Sequence, residues 1–289
     1  MKVTGFTIVK DAIKYDYPVL EAINSILPVC DEFVVAVGSS SDETLEIIQG
    51  INNPKIRILK TAWDLSNRKG GNVLAVETNK AFAAISADTD WAFYIQGDEV
   101  VHEKYLDTIQ KGMEAYLDNR KVDGLLFKYL HFYGSYDYIG SSAKWYQNEI
   151  RIIRNDKSFF SFRDAQGFRK GNNKLLQVKP IDAYIYHYGW VKKPEVMQQK
   201  QLEFNKYWHD DAWIEKNILK STEFDYSTID ELKLFDGTHP KVMLKRIQEK
   251  NWKFDYDLSL NKLSPKERIK SILNKYLGLD FSYKNYRIR

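Results

Sequence analysis

The chain has 289 residues, 44% hydrophobic and 28% charged, enough for one large α/β domain or an ordinary domain with an accessory region. Its formal net charge of +4 is uneven: residues 261–289 hold eight Lys or Arg against Glu267 and Asp280, so the rest is slightly acidic, which excludes a main domain built to bind nucleic acid. No apolar run approaches the ~18 residues of a spanning helix, the start lacks a signal peptide's apolar core, and the single Cys30 can form neither an internal disulfide nor a cysteine zinc site; a cytoplasmic protein is expected.

Residues 2–9 alternate and end apolar, a first strand running into the Val9-Lys10-Asp11 corner. Pro18 then opens a helix with Leu20, Ile23, Ile26 and Leu27 on one face. A second strand, 33–37, is apolar throughout, as parallel strands covered on both faces are. Gly38, Ser39, Ser40, Ser41 and Asp42 follow it; small side chains and free N–H groups at a helix start suit a phosphate or ribose, or serve simply as a cap. A third strand at 56–59 leads into a basic loop, 63–71, holding Arg68 and Lys69 beside two glycines. Residues 72–86 carry Val73, Val76, Phe82 and Ile85 at helical spacing. The run Trp91-Ala92-Phe93-Tyr94-Ile95 is too short for a helix and stops at Gln96-Gly97-Asp98-Glu99. It reads as a buried strand delivering a carboxylate to the edge where open α/β sheets bind ligands; a capping Asp98 is the alternative. The alternation predicts a mostly parallel central sheet sandwiched by helices.

Residues 102–116 form a further helix and 124–130 a further strand. In the aromatic stretch 127–146, Tyr133, Tyr136 and Trp145 stand among glycines and serines, faces that suit a sugar acceptor or, equally, an aromatic core hairpin. Residues 149–154 alternate like a strand and are expected to pair with 159–162 across the 155–157 turn, with Arg163-Asp164 at a polar tip beyond. Residues 183–190 return a last strand carrying His187. The remainder, 191–289, reads as a helical extension: a helix from Pro194 to Trp208, no regular period over 209–260, and a Ser264-Pro265-Lys266-Glu267 capping box that opens a basic amphipathic helix stopped by Gly278. Its stripe of Ile269, Ile272, Leu273, Tyr276 and Leu277 fits an anionic membrane surface or the chain's own domain.

Four stretches in this order resemble a family 2 glycosyltransferase with the nucleotide-sugar-binding fold called GT-A. Phe6 to Asp11 resembles the opening strand that normally ends in Asn-Glu. Gly38, Ser40, Asp42 and Thr44 resemble the Asp-Asp-Gly-Ser-x-Asp-x-Thr loop. Gln96-Gly97-Asp98-Glu99 resembles the Asp-x-Asp motif. Glu149 to Arg154 with Arg163-Asp164 resembles the Glu-x-Arg-Leu-Phe-Arg strand and later acid of one bacterial branch.

The resemblance implies a GT-A catalytic domain over 1–190, with a nucleotide-binding half, 1–100, and an acceptor half, 101–190. It implies inverting transfer of a sugar from a nucleotide-diphosphate donor to a glycan or lipid-linked acceptor in bacterial surface polysaccharide synthesis, on the inner face of the plasma membrane. Asp164 would be the base, its alternative being an ion pair with Arg163, Arg169 or Lys170. Val9, Lys10, Asp11, Gly38, Ser39, Ser40, Arg68, Lys69, Gln96 and Asp98 would hold the donor. Mn²⁺ or Mg²⁺ would sit on Asp98, with His187 completing its shell or serving as a structural histidine. Val37 and Gly38 replace the base-reading aspartate, which leaves the donor base open, and Gln96 replaces the first acid, which makes a metal weak or dispensable. The competing class is a non-catalytic carbohydrate-binding or scaffold protein derived from such a transferase. A nucleotidyltransferase would need a glycine-rich loop after the first strand, and Val9-Lys10-Asp11-Ala12 is none. A homodimer is compatible with all of this.

Overall fold

Side chains alternate across a strand, so a strand apolar at every position must be covered on both faces. β1 (Val3–Val9), β2 (Glu32–Gly38) and β4 (Trp91–Tyr94) are of this kind. Phe33, Val35, Val37, Trp91 and Phe93 face one layer, where α1 (Val19–Ile26), α2 (Thr44–Gln49) and α4 (Leu106–Ala115) pack; Phe6, Ile8, Val34, Ala36 and Tyr94 face the other, covered by α3 (Asn72–Ala83). With β3 (Ile56–Thr61) these strands form a parallel half-sheet in the order β3-β2-β1-β4. The computed structural model describes residues 1–218, 221–277 and 284–289.

The second half of the sheet is mixed, not mostly parallel. After β5 (Glu99–Val101) come β6 (Gly124–Tyr133), the short β7 (Tyr138–Gly140), β8 (Asn148–Arg154), β9 (Phe159–Phe162), β10 (Gly167–Lys170) and the long β11 (Lys174–Trp190). β8 inserts antiparallel between β4 and β6, and β11 runs parallel to β6 while taking β5 and β10 antiparallel. β9 pairs with β10, not with β8 as the sequence led one to expect. The turn that matters is therefore 163–166, which makes Asp164 the tip of a hairpin.

The C-terminal part is not simply helical. α5 (Pro194–Lys206) and α6 (Asp211–Asn217) precede β12 (Leu232–Leu234), α7 (Leu244–Gln248) and α8 (Pro265–Leu277), and β13 (Tyr286–Ile288) returns to pair with β11. The aperiodic 224–256 segment brings Phe235, Met243 and Trp252 onto Phe132, Tyr186 and Tyr188, and Phe224, Tyr226 and Phe254 onto Tyr133. Arg246 ties it to α1 through Glu21 and Asp16. Gly278, expected as a helix stop, lies outside the described residues, and among those described no helix is long and apolar enough to cross a membrane.

Glu149 on β8 points inward, accepting from Gln166 Nε2 at 2.8 Å. Burial pushes its carboxyl up to about 8, against the pull of Arg151 and Gln166. The folded chain therefore keeps a proton that the unfolded chain releases near pH 4.5, so this group's stabilisation is full in acid and is lost as pH rises through about 8. Glu149→Gln is expected to flatten that decline. In urea unfolding at about pH 5 and about pH 9 the wild type should lose more stability than the variant; equal losses would show that Glu149 ionises freely in the fold.

Candidate active site

β1 and β4 are adjacent and parallel, so the loops at their carboxyl ends open on one edge. A cavity of about 450 Å³ lies there, the size of a small-molecule site. Val9 and Lys10 enter from β1, Gln96 and Asp98 from beyond β4, Asp164 from the turn between β9 and β10, and His187 from β11. Two acids remote in sequence thus line one space.

A buried network brings them there. Arg151, wholly buried on β8, donates from Nε to Glu99 Oε2 at 2.8 Å and from Nη2 to Oε1 at 2.7 Å. Tyr129 OH and the Gln96 N–H complete the Glu99 carboxylate at 2.8 and 3.1 Å. Arg151 Nη1 reaches the Gln166 carbonyl at 2.9 Å, and Gln96 Nε2 donates to the Ala165 carbonyl at 3.3 Å. One guanidinium and one amide thereby bind the 96–99 tip to the hairpin that carries Asp164.

Pairing of β5 with β11 sets Glu99 opposite His187, and the Tyr188 N–H donates to the Asp98 carbonyl at 2.8 Å. Asp98 Oδ2 then lies 3.7 Å from His187 Nε2 and 3.3 Å from Lys200 Nζ of α5. Burial pushes the Asp98 carboxyl up, but Lys200 and then His187 outweigh it and hold the group far below the usual carboxylate range. His187 Nδ1 meets His131 Nδ1 at 3.0 Å, and His131 Nε2 meets the Tyr146 carbonyl at 2.8 Å. A carbonyl only accepts, so His131 donates there; burial and the neighbouring His187 keep His131 neutral, at about 3. His131 Nδ1 therefore accepts from His187 Nδ1, which leaves His187 Nε2 on the Asp98 side, a donor to Asp98 in the imidazolium and a lone pair for a cation in the neutral ring. Two oriented donors of this kind fit a hard divalent cation that takes its other ligands from phosphate oxygens and water. Among the described residues no third His, Cys, Asp or Glu joins them.

Asp164 is held on strained backbone: Arg163 and Ala165 on either side have φ of +55° and +62°. Burial pushes its carboxyl up, against N–H groups of its own turn and the charges of Arg163 and Arg151, which makes it a stronger base than an exposed carboxylate. Lys170, one expected ion-pair partner, is taken by Asp123, while Arg163 and Arg169 lie over the Phe162 ring.

Several expected contacts are not in this cavity. Asp11 is buried, binding Lys10 and the Ser41 N–H and hydroxyl, and Ser40 Oγ accepts from the Asp11 N–H at 3.0 Å. Gly38, Ser39 and Ser40 thus belong to a loop that spends its polar groups on the neighbouring loop, ahead of a helix of only six residues. Arg68 pairs with Asp211 at 3.0 Å, and the Lys69 side chain lies outside the described residues. Tyr133 and Tyr136 offer no face to an acceptor: both are buried, against Trp190, Tyr226 and Phe254 and against Tyr188, His239 and Trp252 respectively. Trp145 stacks on His131 outside the lining. The aromatic wall comes instead from Tyr15, Tyr17, Trp63, Tyr146, Trp190 and Tyr207. Lys200, beyond the expected domain boundary at 190, was missed because a lysine in a mostly polar helix reads as surface.

No protein-family model and no curated protein matches the sequence. Among solved structures, S. aureus TarS aligns with a TM-score of 0.43 and 17% identity, over 71% of this chain and 39% of that one. S. aureus TarS 1-349 in complex with UDP aligns at 0.40 and 16%, over 72% and 65%. Glucosyl-3-phosphoglycerate synthase from Mycobacterium tuberculosis, in complex with Mn²⁺, UDP and phosphoglyceric acid, aligns at 0.29 and 16%, over 45% and 43%. This chain spans less than two thirds of the length of each.

Gly71 marks how closely the 63–71 loop approaches the acid: a Cβ there would lie 2.8 Å from Asp164 Cβ and 3.1 Å from its Cα, at φ +76°. Gly70 has a similar φ, +67°, with nothing within 4 Å. Gly70→Ala is expected to cost about 1–2 kcal/mol from its backbone alone, and Gly71→Ala about 1–3 kcal/mol more, as overpacking. Urea unfolding of the two variants measures the difference; equal costs would show that the loop does not brace Asp164.

Proposed function

We propose that this chain is an inverting glycosyltransferase that takes a nucleotide-diphosphate sugar as donor. The observation that carries the reading is the convergence of Asp98 and Asp164 on one aromatic-walled cavity at the carboxyl edge of the parallel strands. The sequence resemblance supplies the reaction class and the inversion. In that reaction an acceptor hydroxyl oxygen forms a bond to the anomeric carbon as the bond from that carbon to the diphosphate breaks, the electron pair leaving with the diphosphate. Asp164 takes the hydroxyl proton. Lysines line the cavity where positive charge is needed beside the leaving group, Lys10 among them although Asp11 holds part of its charge. Asp98 and His187 would hold a divalent cation, which when bound adds charge neutralisation on the diphosphate. The aromatic wall suits the flat faces of a base or sugar. The catalytic unit on this reading is 1–190 together with α5.

The acceptor we propose is a glycan or lipid-linked glycan of a bacterial surface polysaccharide, met at the inner membrane face. Support comes from α8. Its capping box forms as expected, with Ser264 and Glu267 bonded reciprocally, and Ile269, Ile272 and Leu277 are 58%, 56% and 65% exposed beside Lys266, Arg268 and Lys270. Gln96 does not favour a non-catalytic relative, because its amide is used to bind the Asp164 turn.

Asp164→Asn should lower sugar transfer by about 10²–10⁴-fold while the melting-temperature rise given by the preferred donor, found from a panel of sugar nucleotides with and without Mn²⁺, is retained. Unchanged turnover removes Asp164 as the base. Membrane attachment is tested with Ile269→Asp/Ile272→Asp, since truncation would also delete β13. The double variant should no longer sediment with vesicles containing phosphatidylserine; undiminished sedimentation rules α8 out as the anchor.

A further inference from the structure

Lys200 is placed unlike an ordinary helix lysine. Its side chain is only 11% exposed, lines the cavity, and crosses the Tyr17 ring with Nζ 4.9 Å from the centroid. Two of the ammonium's three N–H groups have acceptors: the Gly189 carbonyl at 2.8 Å and Asp98 Oδ2 at 3.3 Å. The second contact is long for a charge-assisted bond, which normally closes to about 2.7–2.9 Å; Lys111 reaches Asp107 at 2.7 Å and Lys128 reaches Asp182 at 2.8 Å even on the surface. Asp98 therefore holds Lys200 loosely and shares itself with His187.

A desolvated ammonium facing half a carboxylate is an incomplete pair. A diphosphate offers it more negative charge in the same low-dielectric space. Lys10 is less available for that role, being bound to Asp11 and 4.0 Å from Glu203. Gly189 shows that the cluster is built around close approach: a Cβ there would lie 2.5 Å from His187 Nε2 and 2.7 Å from Asp98 Oδ2.

We propose that Lys200 is the diphosphate-binding cation of the cleft, paired with Asp98 while the cleft is empty and passing to the diphosphate when a donor enters. This rests on the nucleotide-diphosphate reading above and adds to it a residue that lies outside the stretches of resemblance. It also makes α5 part of donor recognition, since the helix must stay docked for Lys200 to reach.

Inorganic pyrophosphate is the probe, because it carries the diphosphate without a choice of base or sugar. Its binding is measured by calorimetry on the full chain, once in chelator and once with Mn²⁺, for wild type, Lys200→Met, Lys200→Arg and Asp98→Asn. Lys200→Met should bind at least about tenfold more weakly, a tenth of the affinity corresponding to ~1.4 kcal/mol, and Lys200→Arg should recover most of the loss. In chelator, Asp98→Asn should bind more tightly than wild type because the lysine is released from its carboxylate. That variant keeps the proposal testable if Lys200→Met fails to fold. Equal binding by wild type and Lys200→Met, weaker binding by Asp98→Asn in chelator, or no pyrophosphate binding by wild type in either buffer overturns the proposal. Lys200-dependent pyrophosphate binding with no sugar nucleotide turned over would instead uphold Lys200 and count against glycosyl transfer.

Discussion

A guanidinium with no water to turn to decides where this cleft is. Arg151 and Glu99 are both wholly buried, and removing either would leave a bare charge inside, at a cost of about 3–5 kcal/mol. An apolar pair of the same volume could hold the fold as well, so what the ion pair adds is direction. The planar fork of Arg151 points two N–H groups at Glu99 and a third at the Gln166 carbonyl, with Tyr94 and Tyr129 rings on its faces. Movement of the acid tip relative to the hairpin tip would break charge-assisted bonds that nothing else in the interior replaces.

The chain after residue 190 completes what that pair begins. β6 and β11 present Phe132, Tyr186 and Tyr188 to one cluster and Tyr133 to another, and the late segment packs on both. Left bare, that much aromatic surface would drive association; the 224–256 segment covers it, and its anchor on α1 through Arg246 draws the segment across the molecule. α5 runs from the end of β11 past the cavity mouth, where Lys200, Phe204 and Tyr207 become lining. The same stretch that buries the core thus closes the site, and a boundary drawn at residue 190 would separate Lys200 from the acid it faces.

What could be read in the sequence follows from range. β1 through β4 were legible because both faces of each strand are filled, leaving unbroken apolar runs between turn residues, and the Asp98 and Asp164 tips were legible as acids directly after strands. The partner of β9 was not, because the 155–157 turn looks as competent as the 163–166 turn and only Arg163 and Ala165 at positive φ decide between them. Tyr133 and Tyr136 looked like a binding face because the rings that bury them lie about a hundred residues on, in a segment without period. Lys200 carries no local signal of its role: the Gly189 carbonyl is close by in sequence, but the acid that Lys200 faces, Asp98, lies about a hundred residues back.

Gln96 shows how a departure from a familiar acidic pattern need not be a loss. A carboxylate at that position is an acceptor only, and it would face the Ala165 carbonyl, another acceptor, across 3.3 Å. An amide supplies the N–H that the carbonyl requires, so the residue that looks like a missing metal ligand is the second tie between the two acid loops. The negative charge given up is charge that Lys200 no longer has to balance. Asp98, Asp164 and Glu203 all line the cleft, against Lys200 and a Lys10 that Asp11 already holds, so an incoming diphosphate depends on Lys200 and not on the overall charge of the lining. An acid at 96 would both break the tie and add a fourth carboxylate to the lining.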